Sequence, residues 1–368
     1  MTRKWLRWLP AVAAPAVIAA AALTGSLPAS AGNPLPAKTP GEVLALVAGH
    51  SAPSLSGTLE QSSNMGLPSL SKLGPSTGTD GTSILELLSG PHTARVFLDG
   101  STHSRVQVLD RLAERNAVRN GDQIWLYSSK DNSATHLTLP AGAAQHQPAR
   151  TEGAMPTPEE LAARLLATAG PTTDFAVLPD VNVAGRPAYN LMLTPRGNGT
   201  LIGSVAIAVD GQSGLPLSVE VKARGQAEPA LKVAFTSLSL QAPDAALFAF
   251  SPPPGATVKE STLKESAARD SHAGEPGSPA AATHERPSVT GSGWESVVET
   301  RLDATAAGAP GQPGAFLSGD PLLQQAAVAV PGGHLFSTAI VNVLLTDDGR
   351  IFAGSVPAEQ LQAAAANR

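Results

Sequence analysis

The chain has 368 residues and no cysteine. Disulfides, iron–sulfur sites, thiol catalysis and a lipid-bearing N-terminal Cys are therefore excluded. Aromatic residues are scarce at 4%, and Ala, Gly, Pro and small β-branched residues fill their places. Such side chains line a sheet thinly and are compatible with a cavity, although biased genomic composition gives the same counts. Cations are also short: 25 Lys and Arg against 30 Asp and Glu leave a net charge of −5. This balance argues against nucleic acid or an anionic membrane surface as the main partner. The eight histidines (His50, His92, His103, His136, His146, His272, His284 and His334) show no metal-ligand spacing. Neither a metal nor a cofactor is expected. Gly197, Gly199 and Gly203 join strand to strand with no helix behind them, so they lack the helix N-terminus that a phosphate loop needs. Asn198-Gly199-Thr200 matches a glycosylation sequon and reads as a turn.

What the sequence does have begins with an export signal over 1–31. Arg3, Lys4 and Arg7 precede an apolar run from Ala11 to Leu23, and Ala29-Ser30-Ala31 is a small-x-small cleavage site. An uncleaved anchor is the other reading. Without those three cations, 22 basic residues face 30 acidic ones, a charge of −8. No later run is long and apolar enough to cross a membrane.

Alternation predicts a four-stranded antiparallel meander over Arg186–Pro195, Leu201–Val209, Leu215–Ala223 and Leu231–Leu240. In its last strand Leu231, Val233 and Phe235 share a face, then the phase slips to Leu238 and Leu240, the mark of a β-bulge. Earlier strands are expected at Ser54–Ser62, around Val96–Leu98 and Val106–Val108, at Gln123–Ser129 after an Asn120-Gly121 hairpin, and at His136–Leu139. Helices are expected to start at Thr39-Pro40-Gly41-Glu42 and Thr157-Pro158-Glu159-Glu160. The two glutamates of the second start suit the positive end of a helix dipole better than an acid/base pair. Asn64–Gly81 is a Gly/Ser/Pro-rich stretch carrying Met65, Leu67, Leu70 and Leu73, either an apolar flap or a disordered loop.

The domain plan is a signal over 1–31, a domain over 32–258, a solvated linker over 259–288 and a small α+β domain over 289–368. In that last domain, strands are expected at Trp294–Leu302, Leu335–Leu345 and Ile351–Val356, with helices at Asp320–Ala327 and Pro357–Ala365.

Several spellings carry a likeness. They are Ala188-Tyr189-Asn190-Leu191, Asp210 to Gly214 followed by Leu215-Pro216, and Phe248-Ala249-Phe250 leading into Pro252-Pro253-Pro254-Gly255. Together with the order helix, strands, helix, four strands, they make Pro40–Val258 resemble the LolA/LolB/LppX lipoprotein-localisation superfamily. The tail from Phe352 to Leu361 and the two-domain plan are similar to RseB/MucB. The resemblance implies a mainly β fold with helices (α+β), a curved antiparallel half-barrel closed by helices, and a small C-terminal α+β domain. It also implies an exported, non-catalytic protein of the envelope that binds acyl chains of lipids or lipoproteins. The alternative it carries is an RseB-like envelope-stress sensor that regulates a membrane anti-sigma factor through its C-terminal domain. A secreted hydrolase with a site assembled in space is a third reading.

On this reading the cavity lining is Val96, Leu98, Val106, Val108, Trp125, Tyr127, Leu191, Leu193, Val205, Ile207, Val219, Val221, Val233 and Phe235, with the Met65 stretch as a flap. Ordinary core packing accounts for the same residues. Burying one methylene is worth about 0.8 kcal/mol, so a long acyl chain leaves a membrane only for an apolar container.

Overall fold

The computed structural model describes residues 35–50, 54–66, 90–109, 113–139, 155–262, 287–301 and 326–366. The expected signal, the flap residues Leu67, Leu70 and Leu73, and residues 320–325 of an expected helix lie outside these. The strands of the first sheet are β1 (Ser54–Ser63), β2 (His92–Asp99), β3 (His103–Leu109), β4 (Glu114–Asn120), β5 (Gln123–Ser128), β6 (Ser133–Thr138), β7 (Thr173–Val183), β8 (Arg186–Pro195), β9 (Ile202–Asp210), β10 (Pro216–Ala223), β11 (Leu231–Ser239) and β12 (Thr257–Thr262). They form one curved sheet in the order β12-β6-β5-β4-β3-β2-β1-β11-β10-β9-β8-β7, not closed into a barrel. All pairings are antiparallel except β12 on β6.

The meander forms as the alternation predicts, with β8 to β11 side by side. The predicted slip is a bulge: Thr58 pairs with Ser237 and Leu59 with Phe235, which leaves Thr236 over. Gly57 makes the crossing possible. A Cβ there would lie 2.6 Å from the Ser237 carbonyl oxygen and 2.9 Å from the Phe235 ring.

Two helices close the apolar face of the meander, α1 (Pro40–Ala48) on β7 and β8, and α2 (Pro158–Thr168) on β10 and β11. Each starts with proline in its first turn and a complete capping box, Thr39 with Glu42 and Thr157 with Glu160. Val43 and Ala162 seat them, both without exposed surface. The leucines Leu161, Leu165 and Leu166 are only half-buried.

The sequence reading missed β7, because Pro179 and Asp180 interrupt its alternation, and the ladder skips between Leu178 and Val181 at that point. It also placed Lys259 at the start of a linker. Thr257–Thr262 instead extends the sheet, paired along its length with Ser133–Thr138. Its Lys and Glu side chains face solvent at a sheet edge, which is why it reads as coil.

A second sheet has the order β13-β14-β18-β17-β16-β15. Its strands are β13 (Ser288–Thr290), β14 (Val297–Arg301), β15 (Ala327–Val330), β16 (Gly333–Ser337), β17 (Asn342–Thr346) and β18 (Arg350–Gly354), and α3 (Ala358–Ala366) packs on β17 and β18. The strand expected over Leu335–Leu345 is two strands. The Thr338 backbone N–H and hydroxyl both donate to the Val341 carbonyl, and the hydroxyl accepts from the Val341 N–H, so the chain reverses there. Trp294 stands in a 3-10 turn rather than a strand. Both sheets belong to one compact unit, Ala37–Arg368. Among the described residues no helix is long and apolar enough to cross a membrane.

Candidate functional site

Strand registers sort the side chains of the first sheet into two faces. On one face Val106 pairs with Val96, Val96 with Gly57, and two residues along β1 Leu59 pairs with Phe235. From there Val233 meets Val219, Val219 meets Ile207, and Ile207 meets Leu191. Val221, Val205 and Leu193 make a second row beside them. Leu98 and Val108 stand two residues from Val96 and Val106, on the same side. Twelve of the fourteen residues chosen from the sequence thus share one face. Leu191, Leu193, Val205, Ile207, Val219 and Val233 have no exposed surface.

Trp125 and Tyr127 do not belong to that set. Val106 pairs with Ala117 and Ala117 with Leu126, so Leu126 joins the apolar face and its two neighbours point away. Phe250 lies 5.6 Å from Trp125 and 5.8 Å from Tyr127, and His136 stacks on Trp125 at 4.1 Å. These aromatics hold the Ala245–Phe250 segment against the back of β3 to β5.

A cavity of about 790 Å³ lies on the other face of the meander. One row of its lining is Asn190, Ala208, Ser218, Ala234 and Glu60, each paired with the next. The row beside it is Ala206, Glu220, Lys232 and Ser62. Pro91, His92 and Thr93 border it on one side, and Val181, Asn182, Val183 and Ala184 from the β7–β8 hairpin on the other. Of the fourteen chosen residues, Phe235 alone borders this cavity. β7 stands six places from β2 in the sheet, which in a flat sheet is about 29 Å. Since both border one cavity, the sheet curls and the hairpin comes back over the face.

The sequence carried a signal for this site. Ala206, Ala208, Ala234 and Ser218 are small side chains on the wet face of consecutive strands, and small side chains in register leave space.

The hairpin is fastened. Arg186, directly after its turn, donates from Nε and Nη2 to the two Asp210 carboxylate oxygens at 2.8 and 2.9 Å. Ser213 donates to the same carboxylate from its backbone N–H and its hydroxyl. Burial pushes the Asp210 carboxyl up, but the bonds from Arg186 and Ser213 outweigh it and hold the group below the usual carboxylate range. Inside the cavity, Lys232 Nζ lies 2.7 Å from Glu220 Oε1. Glu60 is exposed. This lining offers binding chemistry: carboxylates, one paired ammonium, an imidazole, hydroxyls, amides and an apolar floor. Among the described residues, no three His, Asp or Glu side chains gather as a metal site.

The second sheet reaches the first at separated points. Trp294 Nε1 donates to the Thr173 hydroxyl at 2.8 Å, with both residues buried. The Ser355 carbonyl accepts from the Leu201 N–H at 2.7 Å and from the Thr200 hydroxyl at 2.8 Å. Ala339 N–H donates to the Met65 carbonyl at 2.8 Å. Met65, expected on a flap, is itself buried. Gly199 explains one close approach: a Cβ there would meet the Glu295 carboxyl at 2.6 Å and the Gln360 amide at 2.9 Å.

No family model matches the chain, and no curated protein matches it. Among solved structures, the MucA/MucB complex of Pseudomonas aeruginosa is similar at 17% identity, over 89% of this chain and 96% of that one, with a TM-score of 0.42. An uncharacterized conserved protein from Thermus thermophilus is similar at 12% identity, over 60% and 98%, with a TM-score of 0.33. A LolA superfamily protein from Nitrosomonas europaea is similar at 12% identity, over 58% and 99%, with a TM-score of 0.23. The structural neighbours of this chain thus include MucB and LolA-superfamily proteins, the two groups its sequence resembles.

Proposed function

We propose that the chain is a non-catalytic binding protein of the cell envelope, exported by the signal read at 1–31. Its ligand is the acyl chain of a lipid or lipoprotein, held between the β7–β8 hairpin and the small-residue face of β8 to β11. The observation that carries this is the cavity itself. At about 790 Å³ it falls in the range of roughly 300–1,000 Å³ typical of small-molecule sites. Its floor is Ala206, Ala208 and Ala234, its wall Val181, Val183 and Phe235. Leu178 and Val181 on the adjoining strand each keep 36% of their surface exposed, and clustered exposed apolar groups mark binding sites. An acyl chain that buries about ten methylenes gains roughly 8 kcal/mol. That meets the lower part of an association cost of about 4–15 kcal/mol, and polar contacts of the head group add to it.

The test is extraction of the purified full chain with organic solvent, followed by mass spectrometry. Wild type should release an acyl-bearing molecule, and Ala206→Trp, which fills the floor, should release none. Empty wild type after incubation with envelope lipids, or equal loading of both proteins, would overturn the reading.

A second reading makes the C-terminal sheet a relay to a membrane-protein partner such as an anti-sigma factor. One observation favours it: Met65, whose carbonyl holds Ala339, follows the lining residue Ser62 by three positions. Hydrogen exchange at the Ala339 amide should slow when the cavity is occupied. Unchanged exchange would remove this reading and leave the first.

A further inference from the structure

Building on the amphiphile reading above, we propose that the cavity selects a head group bearing an ammonium and rejects a purely anionic one. Besides His92, three acidic or basic side chains border the cavity: Glu60, Glu220 and Lys232. The Lys232 ammonium sits 2.7 Å from the Glu220 carboxylate, so these two charges cancel locally. Glu60 remains. Among the described residues no hydrogen bond or ion pair engages its carboxylate, and the residue is exposed.

The neighbours of Glu60 suit an ammonium. Thr93 stands opposite it on β2, and Ser62 lies two residues along on the same face. Their hydroxyls accept hydrogen bonds from the N–H groups that the carboxylate leaves over.

Phosphate and carboxylate head groups find the reverse. Their usual partners are the guanidinium fork and the free N–H groups of a helix N-terminus. No arginine borders the cavity. The floor is β-sheet, whose N–H groups are spent in the ladders of β8 to β11. The one ammonium is already engaged, and an incoming anion would face an unneutralised Glu60.

The experiment compares two amphiphiles with the same palmitoyl chain, lysophosphatidylethanolamine and lysophosphatidylglycerol. Each is titrated calorimetrically into the full chain below its micelle threshold. Wild type should bind the ethanolamine form about ten-fold tighter. Glu60→Gln should bring the two to parity, and Glu60→Lys should reverse the order. Melting curves check that each variant is folded. Equal or tighter binding of the glycerol form by wild type overturns the proposal, as does a preference that survives Glu60→Gln. If a folded wild type binds neither amphiphile, the acyl-binding reading itself fails and takes this inference with it.

Discussion

On one side of β8 to β11 stand Leu191, Ile207, Val219 and Val233, all without exposed surface. On the other side of the same strands stand Asn190, Ala206, Ser218 and Ala234, and beside them lies a cavity of about 790 Å³. The backbone is common to both, so the difference comes from side-chain volume and from what lies across. Branched residues on the first face have no exposed surface, and α1 and α2 pack on β7, β8, β10 and β11. Alanines and a serine on the second line a cavity bordered by Pro91, His92 and Thr93 on one side and by the returning end of a hairpin on the other. Burial on the first face fixes the register, because a one-residue slip would exchange the two sets. The second face is then free to be built from residues too small to fill it. On the proposed function, stability and binding draw on alternate residues of the same strands, and substitutions separate them.

The largest effect is expected on the packed side. Ile207→Ala should lower unfolding free energy by about 2–5 kcal/mol. Ligand affinity per folded molecule should stay unchanged, measured by urea denaturation and calorimetry together. If affinity falls in proportion, the two faces are not independent.

Next is the fastening of the hairpin. Asp210→Asn breaks a pair whose carboxylate side is fully buried and whose Arg186 side is 24% exposed. Removing one partner of a buried pair costs about 3–5 kcal/mol, and partial exposure brings the expectation to the lower end. The pH dependence has a definite sign. A carboxyl held low in the folded state contributes stability that is full above its unfolded value of about 3.9 and is lost as pH falls through the lower folded value. Wild type should therefore lose stability over that acidic window, and Asp210→Asn should lose less.

Gly57→Ala tests the crossing between the two faces. Its new Cβ would press on the Ser237 carbonyl and on Phe235, the one residue of the apolar set that also borders the cavity. Overpacking of this kind costs about 1–3 kcal/mol. Here affinity and stability should change together. Smallest in stability is Ala206→Trp, expected within about 0.5 kcal/mol because its side chain enters open space, while ligand is lost.

Much of this was legible in the sequence. The boundaries Arg186–Pro195 follow from alternation, the bulge at Thr236 from a slip of phase, and both helix starts from Thr-Pro-x-Glu. Those signals are local, written within one strand or one turn. The site was less legible. Alternation says which face is greasy, and a greasy face reads equally as lining or as core; here most of it is buried, and of the chosen set Phe235 alone borders the cavity. Which side stays open depends on a hairpin whose outer strand hides behind Pro179 and Asp180. Trp125 and Tyr127 were misplaced because period two separates faces within a strand but does not say which set matches the neighbouring strand. That takes the pairing of Ala117 with Val106 and Leu126.

An open sheet of twelve strands has two rims, and each is a template on which a stray chain could add. At one rim, Lys259 and Glu260 place charge on β12 and deter a greasy newcomer. At the other, Pro179 offers no N–H, and the irregularity between Leu178 and Val181 breaks the spacing that an added strand would have to match. Both rims of a sheet that leaves a cavity on one side thus carry features that oppose edge-to-edge joining of copies.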